Sequence, residues 1–343
     1  MRMNARRRPS IRDIADAAGV SPATVSLALN NVPGARIADA TRLKVEQIAA
    51  NLGYAPNGLA QALRTNRSHT LALISEEIAT VPYAGRLIRG AQEAASKHGW
   101  LMLIMSTGGA KDVEDREIEA VWRHQVDGVI YADTAHRIID IPDALDGKPI
   151  FLANAEASHG DYWSVFPDEI QGGYIATREL IDAGHTEIGF VSTAMDIPAR
   201  MGRLQGYRTA LEEFGIRFDP NLVMEEASSF AEDGYRGAHN LLARSKRPTA
   251  IFCFNDRMAM GAYRAAAELG LLIPKDLSVV GFDNQEIIAE ALSPQLTTVA
   301  LPYYEMGAMA VEAVIAELQD GNTSKNPGAI PNSLINRDSV RLL

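Results

Sequence analysis

The hydrophobic pattern of this 343-residue chain changes character after about residue 68. From there on, short and nearly continuous apolar runs alternate with stretches in which apolar residues recur every three to four positions. The runs predict strands buried on both faces, and the stretches between them predict helices, as in parallel α/β sheets. The predicted strands are 71–75, 100–105, 128–132, 149–155, 188–193, 250–255, 277–283 and 296–301, and the predicted helices are 84–98, 113–124, 171–183, 201–214, 234–243, 257–269 and 304–318.

So many strands exceed one comfortable sheet, and we therefore expect two doubly wound parallel-sheet lobes with a cleft between them. Ligands of open α/β sheets bind beyond the carboxyl ends of the strands. Amide, carboxylate and guanidinium groups follow the predicted strands and suit a ligand rich in hydroxyls, and nearby aromatic rings suit the apolar face of a sugar. These candidates are Asn154, Arg203, Asn255, Asp283, Tyr83, Phe230 and Tyr303. The alternative is that each Asn or Asp only caps the helix that follows it.

The first 68 residues carry helical periodicity instead. Ser10 and Asp13 form the start signal of a first helix, and Gly19 supplies the backbone freedom for a tight turn. Ser21 can cap a second helix, in which Pro22 occupies the first position. The predicted core of this three-helix unit consists of Ile11, Ile14, Ala15, Ala18, Val25, Leu29, Val45, Ile48, Ala49 and Leu52. This pattern predicts an all-α helix-turn-helix head whose second helix enters the major groove of DNA.

Charge supports the same division. Residues 1–68 carry 10 Lys and Arg against 4 Asp and Glu, whereas the whole chain has a formal net charge of −10. A basic head on an acidic body indicates a nucleic-acid partner for the head. The single cysteine, Cys253, excludes an internal disulfide, and its apolar setting predicts a buried strand. The sequence shows no apolar run of membrane-spanning length, no secretory signal and no metal-ligand cluster, so we expect a cytoplasmic protein without a cofactor.

Five segments, taken together and in this order, resemble the lactose-repressor (LacI) family of bacterial transcription regulators. They are IRDIADAAGVSPATVSLALN, LGYAPN, GHTEIGFVS, FNDRMAMGAYRAAAELGLLIPKDLSVVGFDN and LTTVALPYYEMG. The resemblance implies a DNA-binding head at 1–56, a hinge helix at 57–68 and a core of periplasmic-binding-protein type at 69–343. It further implies that the first lobe comprises about 69–167 and 298–330, and the second about 168–297 and 331–343.

The resemblance also implies which residues contact a pseudo-palindromic operator. Ser21, Thr24, Ser26 and Asn30 match positions that hold phosphates, Pro22, Ala23 and Leu27 match positions that contact bases, and Asn57, Ala60, Gln61 and Leu63 match minor-groove positions of the hinge. Leu63 is expected to be an apolar wedge that kinks the duplex. Many family members have Arg at the position of Leu27. An arginine there binds guanine bidentately, whereas Leu offers only apolar contact, for example with a thymine methyl group.

In the core, Arg203, Asn255 and Asp283 match the family's polar ligand-holding positions, and Tyr303 matches an aromatic residue of the pocket. Tyr83 corresponds to an aromatic residue near the cleft mouth, and Phe230 and Asn154 complete the expected set. The family further implies a homodimer whose operator affinity changes when a small molecule binds in the cleft. A sugar is the expected effector and a purine is the alternative, and the residues do not decide between inducer and corepressor.

Two other functional classes compete with a repressor. A sugar-binding protein for transport or chemotaxis predicts a secretory signal and gives no reason for the basic head. An enzyme with a regulatory head predicts a Gly-rich phosphate loop, a nucleophile elbow or a paired set of acid and base residues, and the sequence contains none of these. We therefore expect a sugar-responsive, non-enzymatic repressor.

Overall fold

The computed structural model describes residues 9–29, 37–54, 67–77, 84–321 and 325–343. The chain divides into two compact units, Met1–Ser68 and His69–Leu343, and each is described by itself. Six of the candidate site residues lie outside the described residues, and their predicted roles stay predictions. They are Asn30, Asn57, Ala60, Gln61, Leu63 and Tyr83.

The first unit contains three described helices: α1 (Ile11–Ala18), α2 (Pro22–Leu29) and α3 (Asp39–Leu52). The predicted start of α1 is confirmed, since the Ser10 hydroxyl accepts from the backbone N–H of Asp13 and the Asp13 carboxylate accepts from the backbone N–H of Ser10 at 2.6 Å. Gly19 ends α1 in the left-handed region with a φ of 69°. At the start of α2, the Ser21 hydroxyl accepts from the backbone N–H of Thr24 at 3.1 Å.

The head has a small core in which all three helices take part. Its fully buried members are Ile14, Ala15, Ala18, Val25, Ala28, Val45 and Ala49. Ile11, Leu29 and Ile48 pack against this core and are partly buried. The prediction for Leu52 is wrong, because this last residue of α3 is 43% exposed. Lys44 ties α3 to the turn, since its Nζ donates to the Ala18 carbonyl at 2.9 Å.

The core unit is built from two six-stranded sheets and their covering helices. The strands are β1 (Thr70–Ser75), β2 (Leu101–Ser106), β3 (Gly128–Ile139), β4 (Ile150–Ala157), β5 (Trp163–Pro167), β6 (Ile188–Thr193), β7 (Val223–Glu226), β8 (Ala250–Cys253), β9 (Ser278–Asp283), β10 (Thr297–Ala300), β11 (Gly328–Ile330) and β12 (Ser333–Ile335). The helices are α4 (Ala84–Lys97), α5 (Lys111–Arg123), α6 (Glu169–Asp182), α7 (Pro198–Glu213), α8 (Ala231–Leu242), α9 (Asp256–Glu268), α10 (Glu286–Ala289) and α11 (Tyr303–Asp320).

The two sheets define two lobes of the predicted doubly wound type. The first sheet has the order β11-β5-β4-β3-β1-β2 and is parallel throughout its described pairs. The second has the order β12-β10-β9-β8-β6-β7, in which β12 alone of the described strands runs antiparallel to its neighbour. All eight strands expected from apolar runs are present. The three short edge strands β7, β11 and β12 and the strand β5 were not expected.

The predicted lobe boundary at residue 298 is wrong by a few residues. Strand β10 pairs with β9 and with β12, so it belongs to the second sheet, and the chain returns to the first lobe only with α11. The described chain passes between the lobes after β5, after β10 and between β11 and β12. Two of these crossings are bonded to each other, since the Asn332 Nδ2 donates to the Asp168 carbonyl at 2.7 Å and the Asp168 N–H donates to the Ile330 carbonyl at 2.8 Å.

Three pairs of helices in the core pack backbone against backbone at reciprocal glycines. The glycine pairs are Gly90 with Gly307 (α4 and α11), Gly173 with Gly206 (α6 and α7) and Gly234 with Gly261 (α8 and α9). A Cβ atom built at any of the six would collide with a main-chain oxygen of the partner helix. Each lobe therefore contains helices locked at close approach, which resists deformation within the lobe.

We expect Gly206→Ala to destabilise the core by about 1–3 kcal/mol, because its methyl group would collide with the carbonyl of Ile170, which cannot move as a side chain would. The matched control is Gly85→Ala in α4, where no described atom lies within 4 Å of the new Cβ, so stability should hold or rise by up to about 1 kcal/mol. Urea unfolding measures both. Equal midpoints for the two variants would contradict the close-packing assignment.

Candidate functional site

A cleft of about 360 Å³ opens in the core unit where the carboxyl ends of strands from both sheets converge. The first lobe contributes the later part of β3, and the second contributes the ends of β8 and β9, the loop before α8 and the first turns of α7 and α9. The lining residues are Glu77, Thr134, Ala135, His136, Arg137, Met195, Ile197, Ala199, Arg203, Ala227, Ser228, Ser229, Phe230, Phe254, Asn255, Arg257, Asp283, Leu301 and Tyr303. The volume falls in the range of small-molecule pockets.

Arg203 lies at the floor of the cleft and is 3% exposed. Its Nε donates to Glu169 Oε2 at 2.8 Å and its Nη1 donates to the Phe254 carbonyl at 2.5 Å. The guanidinium carbon lies 3.7 Å from the ring centre of Phe282. Burial acts to lower the pKa of Arg203, but Glu169 and neighbouring Asp283 together outweigh it and raise this pKa. The guanidinium is therefore a cation that its neighbours hold in place in the lining of the cleft.

Asp283 stands beside Arg203 at the end of β9. Its Oδ1 lies 3.7 Å from Arg203 Nη1, and its Oδ2 accepts from Gln285 Nε2 at 3.0 Å. Burial raises the pKa of Asp283 to about 6, although Arg203 acts to lower it. Its φ of 97° is in the left-handed region, so the backbone is held in an uncommon conformation at the cleft.

Asp256 supports the backbone conformation of Asp283 but does not itself line the cleft. Its carboxylate accepts from the backbone N–H of Gln285 and from the Thr298 hydroxyl, both at 2.6 Å, and the side chain is fully buried. Burial raises the pKa of Asp256 well above its ordinary value, and nearby Asp283 raises it further. Asp256 is therefore a positioning residue for the loop that carries Asp283.

Asn255 caps a helix and lies in the wall of the cleft, and its role toward a ligand stays a prediction. Its Oδ1 caps α9 by accepting from the backbone N–H of Met258 at 2.8 Å, and the residue also lines the cleft. Its Nδ2 donates to the Ser229 carbonyl at 3.1 Å, which fastens the loop before α8. Phe230 at the end of that loop is 60% exposed and lines the cleft. Its ring is therefore available to a ligand.

Tyr303 begins α11 directly after the chain has left the second sheet. The ring is 3% exposed and lines the cleft, and the hydroxyl lies 3.5 Å from the Thr134 carbonyl oxygen in the first lobe. The structure thus brings five of the predicted effector residues together in one cleft: Arg203, Phe230, Asn255, Asp283 and Tyr303. Their roles toward a ligand remain predictions.

Asn154 does not line the cleft, contrary to the prediction. It is 1% exposed, its Nδ2 donates to the Asp133 carbonyl at 3.0 Å, and its φ is 58°. The apolar run predicted a strand that stops at residue 155, whereas β4 continues to Ala157. Because of this, Asn154 lies inside the strand and braces the neighbouring β3 instead of following a strand end.

His136 is a cleft residue that the sequence reasoning missed. The prediction ended the third strand at residue 132, but β3 runs to Ile139 and carries His136 into the cleft. Its ring stacks on Phe166 at 4.4 Å, and its Nε2 lies 3.0 Å from Glu156 Oε1. Its Nδ1 lies 4.0 Å from Glu169 Oε1, across the lobe boundary. Burial lowers the pKa of His136, which favours the neutral ring.

In the head, the described residues expected to contact DNA lie on the outward face of α2. Ser21, Pro22 and Ala23 are exposed, Thr24 and Ser26 are partly exposed, and Leu27 is 38% exposed. The opposite face, with Val25 and Ala28, is buried in the head core. One helix therefore separates a packing face from a face that carries hydroxyl groups around an apolar leucine.

In the part of the chain that the structure describes, no cluster of His, Cys, Asp and Glu is arranged to hold a metal ion. No described helix has the length and apolar character needed to cross a membrane.

Each of the two units contains a segment that matches a known protein family. Residues 10–57 match the family model described as bacterial regulatory proteins, lacI family, and residues 177–340 match the model of a periplasmic binding protein-like domain. The chain is 33% identical over 333 residues to the ribose operon repressor of Haemophilus influenzae, covering 96% of this chain and 98% of that protein.

Two solved structures share the fold over nearly the whole chain. The complex of the transcriptional regulator CelR with cellobiose has a TM-score of 0.70 at 29% identity, covering 97% of this chain and 100% of that one. The Lac repressor dimer bound to operator and an anti-inducer has a TM-score of 0.79 at 24% identity, covering 98% of this chain and 100% of that one. The predicted head and two-lobed core are thereby confirmed as a fold.

The pKa of Asp283 predicts a pH dependence of stability. The folded carboxyl titrates at about 6, against an ordinary 3.8, so the folded chain binds more protons between these values and its free energy of unfolding falls as pH rises through them. Asp283→Asn removes this pH-dependent contribution to the free energy of unfolding, and Asn tolerates the left-handed backbone conformation. Relative to this variant, the wild type should lose about 2 kcal/mol between pH 4 and pH 7. Denaturant unfolding at several pH values measures this loss, and Asp146→Asn, which changes an exposed carboxylate, is the control. If the stability of the wild type relative to Asp283→Asn grew with pH, the prediction would be contradicted.

Proposed function

This chain belongs to the lacI family of bacterial regulatory proteins, and we propose that it is a transcriptional repressor whose operator affinity is controlled by a sugar bound in the cleft. In this proposal it binds a pseudo-palindromic operator as a homodimer, because a two-fold protein fits two half-sites of a duplex. Its place of action is the cytoplasm, where that DNA is. Its cleft senses a ligand and does not transform one.

The observation that carries the proposal is the convergence of Arg203, Asn255 and Asp283 on one cleft with exposed Phe230 and buried Tyr303. Paired polar groups satisfy adjacent hydroxyls, and aromatic faces pack on the apolar side of a sugar ring. A volume of about 360 Å³ suits a monosaccharide or a small disaccharide. The ribose and cellobiose in the names of the two relatives support the same class of ligand.

Binding without catalysis is supported by the state of the buried carboxylates. Glu169 is engaged by the Nε and Nη2 of Arg203, and Asp283 is held by Gln285 Nε2 with Arg203 nearby. These contacts hold both carboxylates in place, which favours a rigid receptor for hydroxyl groups.

Coupling between cleft and DNA follows from differential affinity. A sugar that contacts both lobes stabilises the closed arrangement of the lobes, and a tenfold change in operator affinity requires about 1.4 kcal/mol of such coupling. Within the core unit, we propose that the two hydrogen-bonded crossing segments at Asp168 and Asn332 transmit the effect of the ligand, because they must adjust when the lobes move. The hinge residues Asn57, Ala60, Gln61 and Leu63, outside the described residues, are the proposed receivers.

The proposed function is tested by selecting genomic fragments with the purified protein and titrating the selected fragment in mobility-shift assays at several salt concentrations. Binding should be at least a thousandfold tighter to the selected fragment than to random DNA. One sugar from a panel should raise the melting temperature of the protein and change its operator affinity in the same concentration range. Binding that is equally tight on all sequences would refute the repressor assignment.

Two matched variants tie the sugar response to the cleft. Phe230→Ala should weaken sugar binding several-fold and leave the operator affinity of the unliganded protein unchanged, because the change is confined to an exposed ring in the cleft and its contact with Arg257. Phe214→Ala removes a ring that is 42% exposed and lies outside the cleft lining, so both properties should stay as in the wild type. A sugar response that is insensitive to Phe230 would place the sugar elsewhere.

Leu27 should set the base preference at one position of each half-site. Leu27→Ala removes an apolar contact from the outward face of α2, and we expect it to relax discrimination at one base pair by about 1 kcal/mol. The control is Leu43→Ala, which removes a 65% exposed leucine from α3 and should leave the preference intact. Competition binding on operators mutated at every position measures both, and an unchanged profile for Leu27→Ala would assign base contact to other residues.

A further inference from the structure

The cleft lining carries three arginines, and two of them are neutralised within the protein. Arg203 is paired with Glu169 and lies beside Asp283. The Nη1 of Arg137 lies 3.5 Å from Glu76 Oε2, and its Nε lies 3.8 Å from Asp133 Oδ1. Both guanidinium groups therefore have a carboxylate close enough to balance their charge.

Arg257 is different. Among the described residues, no carboxylate lies within 4 Å of its guanidinium; its Nη2 donates to the Ser229 hydroxyl at 3.3 Å. Its Nε is buried and has no hydrogen-bond acceptor among the described residues. A buried donor on a charged group that stays unsatisfied is destabilising, and the penalty disappears when an acceptor arrives.

The neighbours of Arg257 hold its guanidinium in the cleft, where a ligand can contact it. The guanidinium lies over the Phe230 ring, 5.0 Å from the ring centre, which restrains its position in the cleft. Arg257 is the second residue of α9, two positions after the capping residue Asn255, where the helix itself favours negative charge. Asn255, Phe230 and Arg257 all line the same cleft, so a ligand bound among them lies within reach of the guanidinium.

We propose that the effector is a sugar acid, a uronate or an aldonate, whose carboxylate binds Arg257 while its hydroxyls bind the polar floor of the cleft. This assignment rests on the proposed function, since it names the class of sugar for the same site. A guanidinium without a described carboxylate in salt-bridge range matches one ligand carboxylate, whose two oxygens fit its parallel N–H groups. A phosphate group carries nearly twice that charge and suits this site less well.

A purely structural role for Arg257 makes a different prediction. If its contacts with Ser229 and Phe230 only fasten the loop before α8, replacing it would change stability and weaken all ligands alike. Binding of a carboxylate instead makes the loss selective, because a neutral sugar has no group that needs the cation. The ratio of affinities for an acid and its neutral counterpart therefore separates the two roles.

The experiment uses the full-length chain and isothermal titration with matched pairs of ligands: D-galacturonate and D-galactose, D-glucuronate and D-glucose, and the open-chain pair D-ribonate and ribitol, with D-glucose 6-phosphate as the phosphate probe. The variants are Arg257→Gln and the control Arg208→Gln. Arg208 also lies over a phenylalanine, at 4.4 Å from the ring centre of Phe218, but is outside the cleft lining. Thermal melting of the unliganded variants accompanies the titrations and reports any loss of fold.

We expect at least one acid to bind tenfold or more tightly than its neutral partner, and Arg257→Gln to abolish that ratio while Arg208→Gln preserves it. A neutral sugar that binds best and changes operator affinity, with Arg257→Gln affecting acid and neutral forms equally, would overturn the sugar-acid assignment and leave the repressor standing. Preferred binding of the phosphate would overturn the choice of carboxylate. If no sugar of either kind binds to a protein that still selects an operator, sugar control itself is refuted.

Discussion

The buried pair of Arg203 and Glu169 is the interaction on which the geometry of the cleft depends. Glu169 is the first residue of α6, directly after the chain has entered the second lobe, and Arg203 lies on α7. Removing one member of such a pair costs about 3–5 kcal/mol because it leaves the other charge buried and alone. The guanidinium also binds the end of β8 through the Phe254 carbonyl and approaches Asp283 at the end of β9. One side chain thus joins two helices and two strand ends, so the floor of the cleft is set before a ligand binds.

Close helix packing makes each lobe behave as a unit. The reciprocal glycines of α6 with α7 and of α8 with α9 hold two helix pairs of the second lobe at backbone contact, and those of α4 with α11 do the same in the first. Packed interiors respond to a ligand by moving as bodies rather than by bending. A displacement between the lobes would therefore have to be accommodated where the chain crosses, at Asp168, Leu301 and Asn332. A sensor that works in this way would express binding energy in the cleft as movement of one lobe against the other.

The sequence was most informative where burial is continuous and local. Apolar runs predicted the central strands, and Ser10, Gly19 and Ser21 predicted the ends of the head helices, because each signal lies within a few residues of its effect. Strands β7, β11 and β12 escaped because they are only three or four residues long and are defined by pairing with distant partners. In the cleft, Arg203, Asn255 and Asp283 follow strand ends and were found, whereas His136 and Asn154 were misjudged because β3 and β4 extend past their apolar runs. How far a strand continues past its apolar run depends on pairing with neighbouring strands, which the local sequence does not reveal.

The head and the cleft of the core unit differ in how their functional side chains are arranged. At α2 the described hydroxyls and Leu27 lie within seven consecutive residues, so this part of the expected DNA-contacting surface could be inferred from the local sequence. In the cleft, polar atoms such as His136 Nδ1 and Arg257 Nε have no hydrogen-bond partner among the described residues. A ligand that supplies the missing partner gains a hydrogen bond that the unliganded cleft does not make. A ligand that did so on both lobes would favour the arrangement of the lobes in which it contacts both.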